Sequence, residues 1–400
     1  MSVTFPSPHS YTGEDIVELH LHGSRACVNG VLSDLGERPG LRQARRGEFT
    51  MRAYEAGKLS VYEVEALGSL LTADTERERI QALNSGGGKE VLEEWRKGLV
   101  EGMAHAEAVI DFSADGDNTD LQDVEQVWGG VTKKIRTLRE RMERELSSSV
   151  GELINDGVSV VLTGPPNAGK SSLINKLLKR DFAIVSPEAG TTRDVMTANI
   201  DLDGVKCKVS DTAGIRDAEG AEGIGVERAK DMREGADVVV EVRGYGEEEE
   251  EEEEGVGGGE ERNVIRVRNK IDLRKEGEGG VEGVIDISAE TGEGMEEFID
   301  QLRVRVNEIL DSGGGSASTE GDGTLAPESV VVTRARHREH ISNAVEALLR
   351  FEEMAGYGEG GVDMAAEELR LAASEIGRVV GRVDVEDVLD SLFNDFCVGK

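Results

Sequence analysis

The chain has 400 residues, enough for two or three domains, and a formal net charge of −35 from 81 acidic and 46 basic residues. That balance is unfavourable for a nucleic-acid partner, because phosphate contacts need Lys and Arg, and no basic, aromatic-interleaved patch is visible. Cys27, Cys207 and Cys397 are too few and too scattered for a disulfide framework or a zinc site and point to a reducing compartment, and no apolar run long enough to span a membrane as a helix exists.

The first element in chain order is an alternating strand over 16–21. His20 and His22 share one of its faces with Glu18, and with no third close ligand they are read as sheet-face histidines rather than metal ligands. Apolar residues at three- and four-residue spacings then predict helices over 63–82, 88–112 and 124–146. Their Met and Leu stripes read as core.

The apolar run Val158 to Leu162 leads into Gly164-Pro-Pro-Asn-Ala-Gly-Lys-Ser171, a G-x-x-x-x-G-K-[ST] phosphate loop. Glycines let backbone N–H groups converge on phosphates, Lys170 reaches the β/γ oxygens, and the Ser171 hydroxyl ligates Mg²⁺. Asn167, Ala168, Gly169 and Ser172 complete this nucleotide-binding segment. Leu173, Ile174, Leu177 and Leu178 supply the helix that must follow. In Gly190-Thr-Thr-Arg-Asp194, Thr192 is assigned the second Mg²⁺ contact and Thr191 lies beside the phosphates.

Asp211-Thr212-Ala213-Gly214 follows the strand Val205 to Val209; there an Asp reaches Mg²⁺ through water and a glycine N–H meets the γ-phosphate, so the segment beyond is a switch. The next residue is Ile215, which cannot orient a water, so hydrolysis needs another polar group. Glu219 and Glu222, in the polar stretch Asp217 to Gly225, are the candidates.

A strand over Val238 to Val242 precedes Arg-Gly-Tyr-Gly and eight consecutive glutamates, Glu247 to Glu254, read as a disordered insert of the nucleotide domain over 247–260. Asn269-Lys270-Ile-Asp272 follows the strand Val264 to Val267. The Asp carboxylate can accept from guanine N1–H and the exocyclic amine, which adenine cannot satisfy, so GTP is preferred over ATP. Ser288-Ala289 caps the base after strand Val284 to Ile287. A Gly/Ser-rich linker over 312–323 and two more helices, over 336–354 and 364–380, close the chain.

Together, Gly-Pro-Pro-Asn-Ala-Gly-Lys-Ser-Ser, Ala-Gly-Thr-Thr-Arg-Asp, Asp-Thr-Ala-Gly-Ile-Arg and the ending Phe396-Cys-Val-Gly-Lys400 resemble the MnmE/TrmE family of tRNA modification GTPases. The stretches Pro8 to His20 and Gly47 to Tyr54 resemble it too, so the likeness runs from about Phe5 to Lys400. It implies an α/β P-loop GTPase domain over 151–311 inserted in a discontinuous α-helical bundle, 58–150 and 312–400. Before these comes an incomplete α+β tetrahydrofolate-binding domain over 1–57, lacking its opening strands and a folate-binding arginine. A sheet so shortened exposes unpaired edges.

The resemblance further implies a GTP-hydrolysing enzyme that, with an FAD-dependent partner, installs an aminomethyl-type group on C5 of the wobble uridine, U34, of tRNA from a tetrahydrofolate one-carbon unit. FAD would reside on the partner. Dimerisation would run through the N-terminal domain and, transiently, through the G domains, with K⁺ held by Asn167, Ser186, Glu188 and Thr191. Glu222 would orient the attacking water, and Glu18, Lys58 and Lys400 would hold the folate. Cys397 receives no catalytic role. The low-complexity insert points to a mitochondrial member, with cytoplasm the bacterial alternative. A ribosome-assembly-type GTPase switch, or a remnant with GTPase activity and no folate site, are the competing readings.

Overall fold

Two capping boxes decide where the first long helices begin. Ser60 and Glu63 exchange contacts, the Glu63 carboxylate accepting from Ser60 N at 2.8 Å, and α3 runs over Val61–Thr72. Glu78 likewise accepts from Asp74 N at 2.6 Å and Thr75 N at 3.0 Å, opening α4 at Glu76. The predicted helix over 63–82 is therefore two helices broken at Ala73–Thr75. In turn, α4 runs unbroken over Glu76–Ala114, straight through Gly86-Gly87-Gly88. Burial of Leu92, Trp95 and Leu99 outweighs three interior glycines at about 1 kcal/mol each, since each large apolar side chain contributes about 1.5–3 kcal/mol.

The computed structural model describes residues 1–114, 121–179, 197–211, 232–233, 235–246, 263–274, 281–313 and 331–382. The chain divides into two compact units, Met1–Thr72 with Ala82–Ser147 and Pro327–Lys400, and Ala73–Gln81 with Ser148–Ala326.

In the first unit β1 (Ser2–Phe5) pairs antiparallel with β2 (Ile16–Leu19), Ser2 opposite Leu19. Val17 and Leu19 are exposed on this two-stranded ribbon. Then come α1 (Arg25–Gly36), N-capped by the Ser24 hydroxyl, and α2 (Glu48–Glu55). The bundle is made by α3, α4 from Ala82 onward, α5 (Leu121–Ser147) and two C-terminal helices. These two are Ala335–Ala355 and Val362–Val380. Its core carries the 3–4 spacing expected of helix stripes: Leu92, Trp95 and Leu99; Ile135, Leu138 and Met142; Ile341, Ala344 and Leu348; Leu369, Ala372 and Ile376.

The second unit is built on a six-stranded sheet of β3 (Val158–Thr163), β4 (Thr197–Leu202), β5 (Val205–Asp211), β6 (Val238–Gly244), β7 (Val264–Asn269) and β8 (Val284–Asp286), in the order β4-β5-β3-β6-β7-β8. All neighbours are parallel except β4 with β5. Strand β4 went unread in the sequence, yet its signal is there: Ala198, Ile200 and Leu202 alternate inward and an Asp203-Gly204 turn follows, both residues at positive φ. Helices α6 (Val150–Asp156), α7 (Lys170–Lys179) and α8 (Met295–Gly313) also belong here, with Leu173, Leu177, Phe298 and Leu302 packed in the core of this unit.

Candidate nucleotide-binding site

The parallel strands β3, β5, β7 and β8 all end on one edge of the sheet, and the predicted site residues follow those ends, where open α/β sheets take their ligands. The loop after β3 is forced into shape by two left-handed glycines. At Gly164, φ is 136° and a Cβ would stand 2.0 Å from the Val242 carbonyl oxygen of β6; at Gly169, φ is 95° and a Cβ would stand 2.1 Å from Asn269 Nδ2. Asn167 between them adopts the same left-handed region, φ 67°. Helix α7 starts at Lys170, so its orphan N–H groups and dipole face the loop.

Lys170 is 4 % exposed and folds over the loop, Nζ donating to the carbonyls of Gly164 and Pro165, both at 2.8 Å. Ser171 Oγ donates to Asp211 Oδ2 at 2.6 Å, and Asp211 is 1 % exposed. A hydroxyl and a carboxylate thus converge at the loop, a hard-oxygen set that suits Mg²⁺. Asn269 is buried and joins two loops. Its Nδ2 donates to the Ala168 carbonyl at 2.9 Å, and its Oδ1 accepts from Ala289 N at 3.0 Å.

At the base side, Lys270 stands at φ 69° and Asp272 is exposed, its Oδ1 accepting from Ser288 Oγ at 2.6 Å. That hydroxyl also accepts from Thr291 N at 3.1 Å. The contact leaves Asp272 Oδ2 to present to a base. The structure therefore brings Asn167 to Ser171, Asp211, Asn269 to Asp272, and Ser288-Ala289 to one edge, with Ser172 on the first turn of α7.

Residues 290–294 escaped the sequence reading although they close the base loop: Ser288 N donates to the Glu293 carbonyl at 2.9 Å, and a Cβ on Gly294, φ 71°, would stand 2.0 Å from the Asp286 carbonyl oxygen. Two glycines in five residues after a strand were the available signal. Cys207, on β5, is buried, and burial pushes its thiol up to about 12, aided by the charges of Asp201 and Asp237, so it packs as a hydrophobe.

Thr191, Thr192, Ser186, Glu188, Thr212, Ala213, Gly214, Glu222, Cys397 and Lys400 lie outside the described residues, as do the insert over 247–260 and the linker residues 314–323. Glu18 and Lys58 are both exposed. Glu18 pairs with His20 at 3.3 Å, and the Lys58 amine donates to the Pro8 carbonyl. No cluster of His, Cys, Asp and Glu suited to a metal occurs among the described residues, and no helix there is long and apolar enough to cross a membrane.

Residues 1–58 match the family model of the GTP-binding protein TrmE N-terminus and residues 61–397 that of the MnmE helical domain. The tRNA modification GTPase MnmE of Parvibaculum lavamentivorans is 43% identical over 408 residues, covering 100% of this chain and 86% of its own. That of Paramagnetospirillum magneticum is 43% identical over 403 residues, covering 99% and 85%. Among solved structures, Aquifex aeolicus Era bound to GDP.AlF4- is 23% identical over 49% of this chain and 66% of its own, at a TM-score of 0.26, too loose a superposition to bear on the site. With both family models matched in tandem and relatives above 40% identity along the whole chain, this protein belongs to the MnmE/TrmE family.

Proposed function

We propose that this chain hydrolyses GTP and couples that cycle to tRNA modification, the activity its relatives are named for. The observation that carries the GTPase reading is the convergence of Lys170, Ser171 and Asp211 at the phosphate loop, with Asn269 tying that loop to Asp272 and Ser288. In this reading the loop's N–H groups and Lys170 bind the phosphates, and Ser171 with Thr192 holds Mg²⁺, which when bound neutralises charge developing on them. Asp272 selects guanine. Glu222 orients the attacking water. Asn167, Ser186, Glu188 and Thr191 hold K⁺ between paired G domains of a homodimer.

The modification itself is the addition of an aminomethyl-type group to C5 of U34, with an FAD-dependent partner and a tetrahydrofolate one-carbon unit held by Glu18, Lys58 and Lys400. A mitochondrial location goes with this reading. Expression of the wild-type chain in cells lacking their own copy, followed by nucleoside analysis of the tRNA, tests it. The wild type restores the C5-modified uridine and Lys170→Ala does not; an unmodified wobble position with the wild type expressed sinks the tRNA assignment. A folate titration of the purified chain, read by calorimetry, separates the full enzyme from a GTPase without a folate site.

A further inference from the structure

We infer that the loop Arg38–Arg46 of the N-terminal region is an RNA phosphate-docking surface, an inference that rests on tRNA being the substrate. Its nine residues hold four arginines and no acid, in a chain of net charge −35. Arg38, Arg45 and Arg46 are exposed, and among the described residues no carboxylate meets any of their guanidinium groups. The arginines of two other dense stretches are engaged within the fold, by carboxylates or by neutral acceptors. Arg336 clamps Glu65 at 2.9 Å, Arg334 bonds Ser69 at 3.0 Å and Arg338 caps the Leu146 carbonyl; Arg266 and Arg268 face Glu241 and Asp286.

The loop is also held in one shape while those three side chains stay available. Arg38-Pro39-Gly40-Leu41 forms a tight turn, Leu41 N donating to the Arg38 carbonyl at 3.2 Å with Gly40 at φ 85°. At the other end the nearly buried Glu48 carboxylate gathers Arg42 at 2.7 and 2.8 Å, Arg52 at 2.7 Å and the Arg45 backbone N–H at 2.8 Å. Glu48 thus takes up Arg42 and Arg52 and fixes the backbone of Arg45. What remains presented is three rigidly based guanidinium groups, whose forked donors match phosphate oxygens. Preorganisation lowers the ordering cost of docking. The strongly acidic remainder of the chain confines a polyanion to such a patch.

The test is binding of a labelled tRNA transcript to the full chain over a salt series, wild type against Arg38→Gln/Arg45→Gln/Arg46→Gln, with GTP hydrolysis as the control for folding. Three phosphate contacts contribute about −2 to −3 to the slope of log affinity against log salt, so the variant is expected to lose that slope and about tenfold or more in affinity at low salt, with GTP turnover unchanged. Wild-type binding with the same affinity and slope in the variant overturns the docking loop and leaves the substrate reading standing. No tRNA binding by the wild type removes both. Loss of binding to the purified FAD-dependent partner with tRNA binding intact makes the loop a protein contact and also overturns the inference.

Discussion

Replacing Asn269 by alanine isolates the bridge that joins the phosphate loop to the base loop. The side chain is 2 % exposed and satisfies two backbone groups, the Ala168 carbonyl at 2.9 Å and the Ala289 N–H at 3.0 Å. Leaving a buried polar group without its partner costs about 1–3 kcal/mol, so two such groups set the expected loss at about 2–6 kcal/mol. In a unit of this size that lowers the melting temperature by on the order of 10 °C. Calorimetry of the full chain with and without GDP identifies the transition belonging to the nucleotide unit as the one that ligand raises. In Asn269→Ala that transition falls by the stated amount, the other stays in place, and GDP affinity drops by about tenfold or more. A GDP-sensitive transition unmoved to within a degree or two, with unchanged affinity, would refute the argument that Asn269 ties the two loops.

Asp272→Asn keeps an oxygen for Ser288 but turns the base-facing acceptor into a donor. GTP affinity is expected to fall about tenfold to a hundredfold, the worth of about 1.5–3 kcal/mol in charge-assisted hydrogen bonds, while xanthosine triphosphate, which carries a carbonyl where guanine has its amine, gains; competition binding reads both. Gly164→Ala places a Cβ 2.0 Å from the Val242 carbonyl oxygen at φ 136°, so the loop must move, and fluorescent-GDP binding is expected to weaken at least tenfold, about 1.4 kcal/mol. In the helical unit, burial pushes the Glu65 carboxyl up, but the hydrogen bond with His337 at 2.7 Å and the charge of Arg336 outweigh it and hold it at about 2. Burial holds His337 below its ordinary value of 6.5 despite Glu65. Both groups take up protons more readily when unfolded, so their contribution is complete above pH 6.5, starts to fade below it through His337, and is lost through Glu65 as pH falls from 4.5 toward about 2. Glu65→Gln is expected to cost about 3 kcal/mol at neutral pH and to flatten that acid limb, both read by denaturant unfolding at a series of pH values.

How much of this was legible follows from how local each signal is. The phosphate loop, Asp211, Asn269-Lys270-Ile-Asp272 and Ser288-Ala289 could be read because each is a short stretch whose chemistry sits on consecutive residues at a strand end. The helix stripes of Leu369, Ala372 and Ile376 were legible for the same reason, being one periodic face. The break at Ala73–Thr75 was not, because apolar spacing continues across it while the Thr75-to-Glu78 box, a polar signal, ends one helix and starts the next. Gly86-Gly87-Gly88 misled in the opposite sense, since local propensity favours a stop and distant packing overrides it. The Glu65 to His337 contact joins residues 272 positions apart, and the availability of Arg45 beside a neutralised Arg42 depends on where Glu48 folds. No window of sequence displays either.

GTP turnover by the full chain in KCl and in NaCl, for the wild type and for Glu222→Ala, bears most directly on the whole reading. Hydrolysis that depends on K⁺ and collapses in the variant is the predicted result. Equal rates in the two salts, or a Glu222→Ala chain as active as the wild type, would contradict a potassium-activated cycle run by this residue.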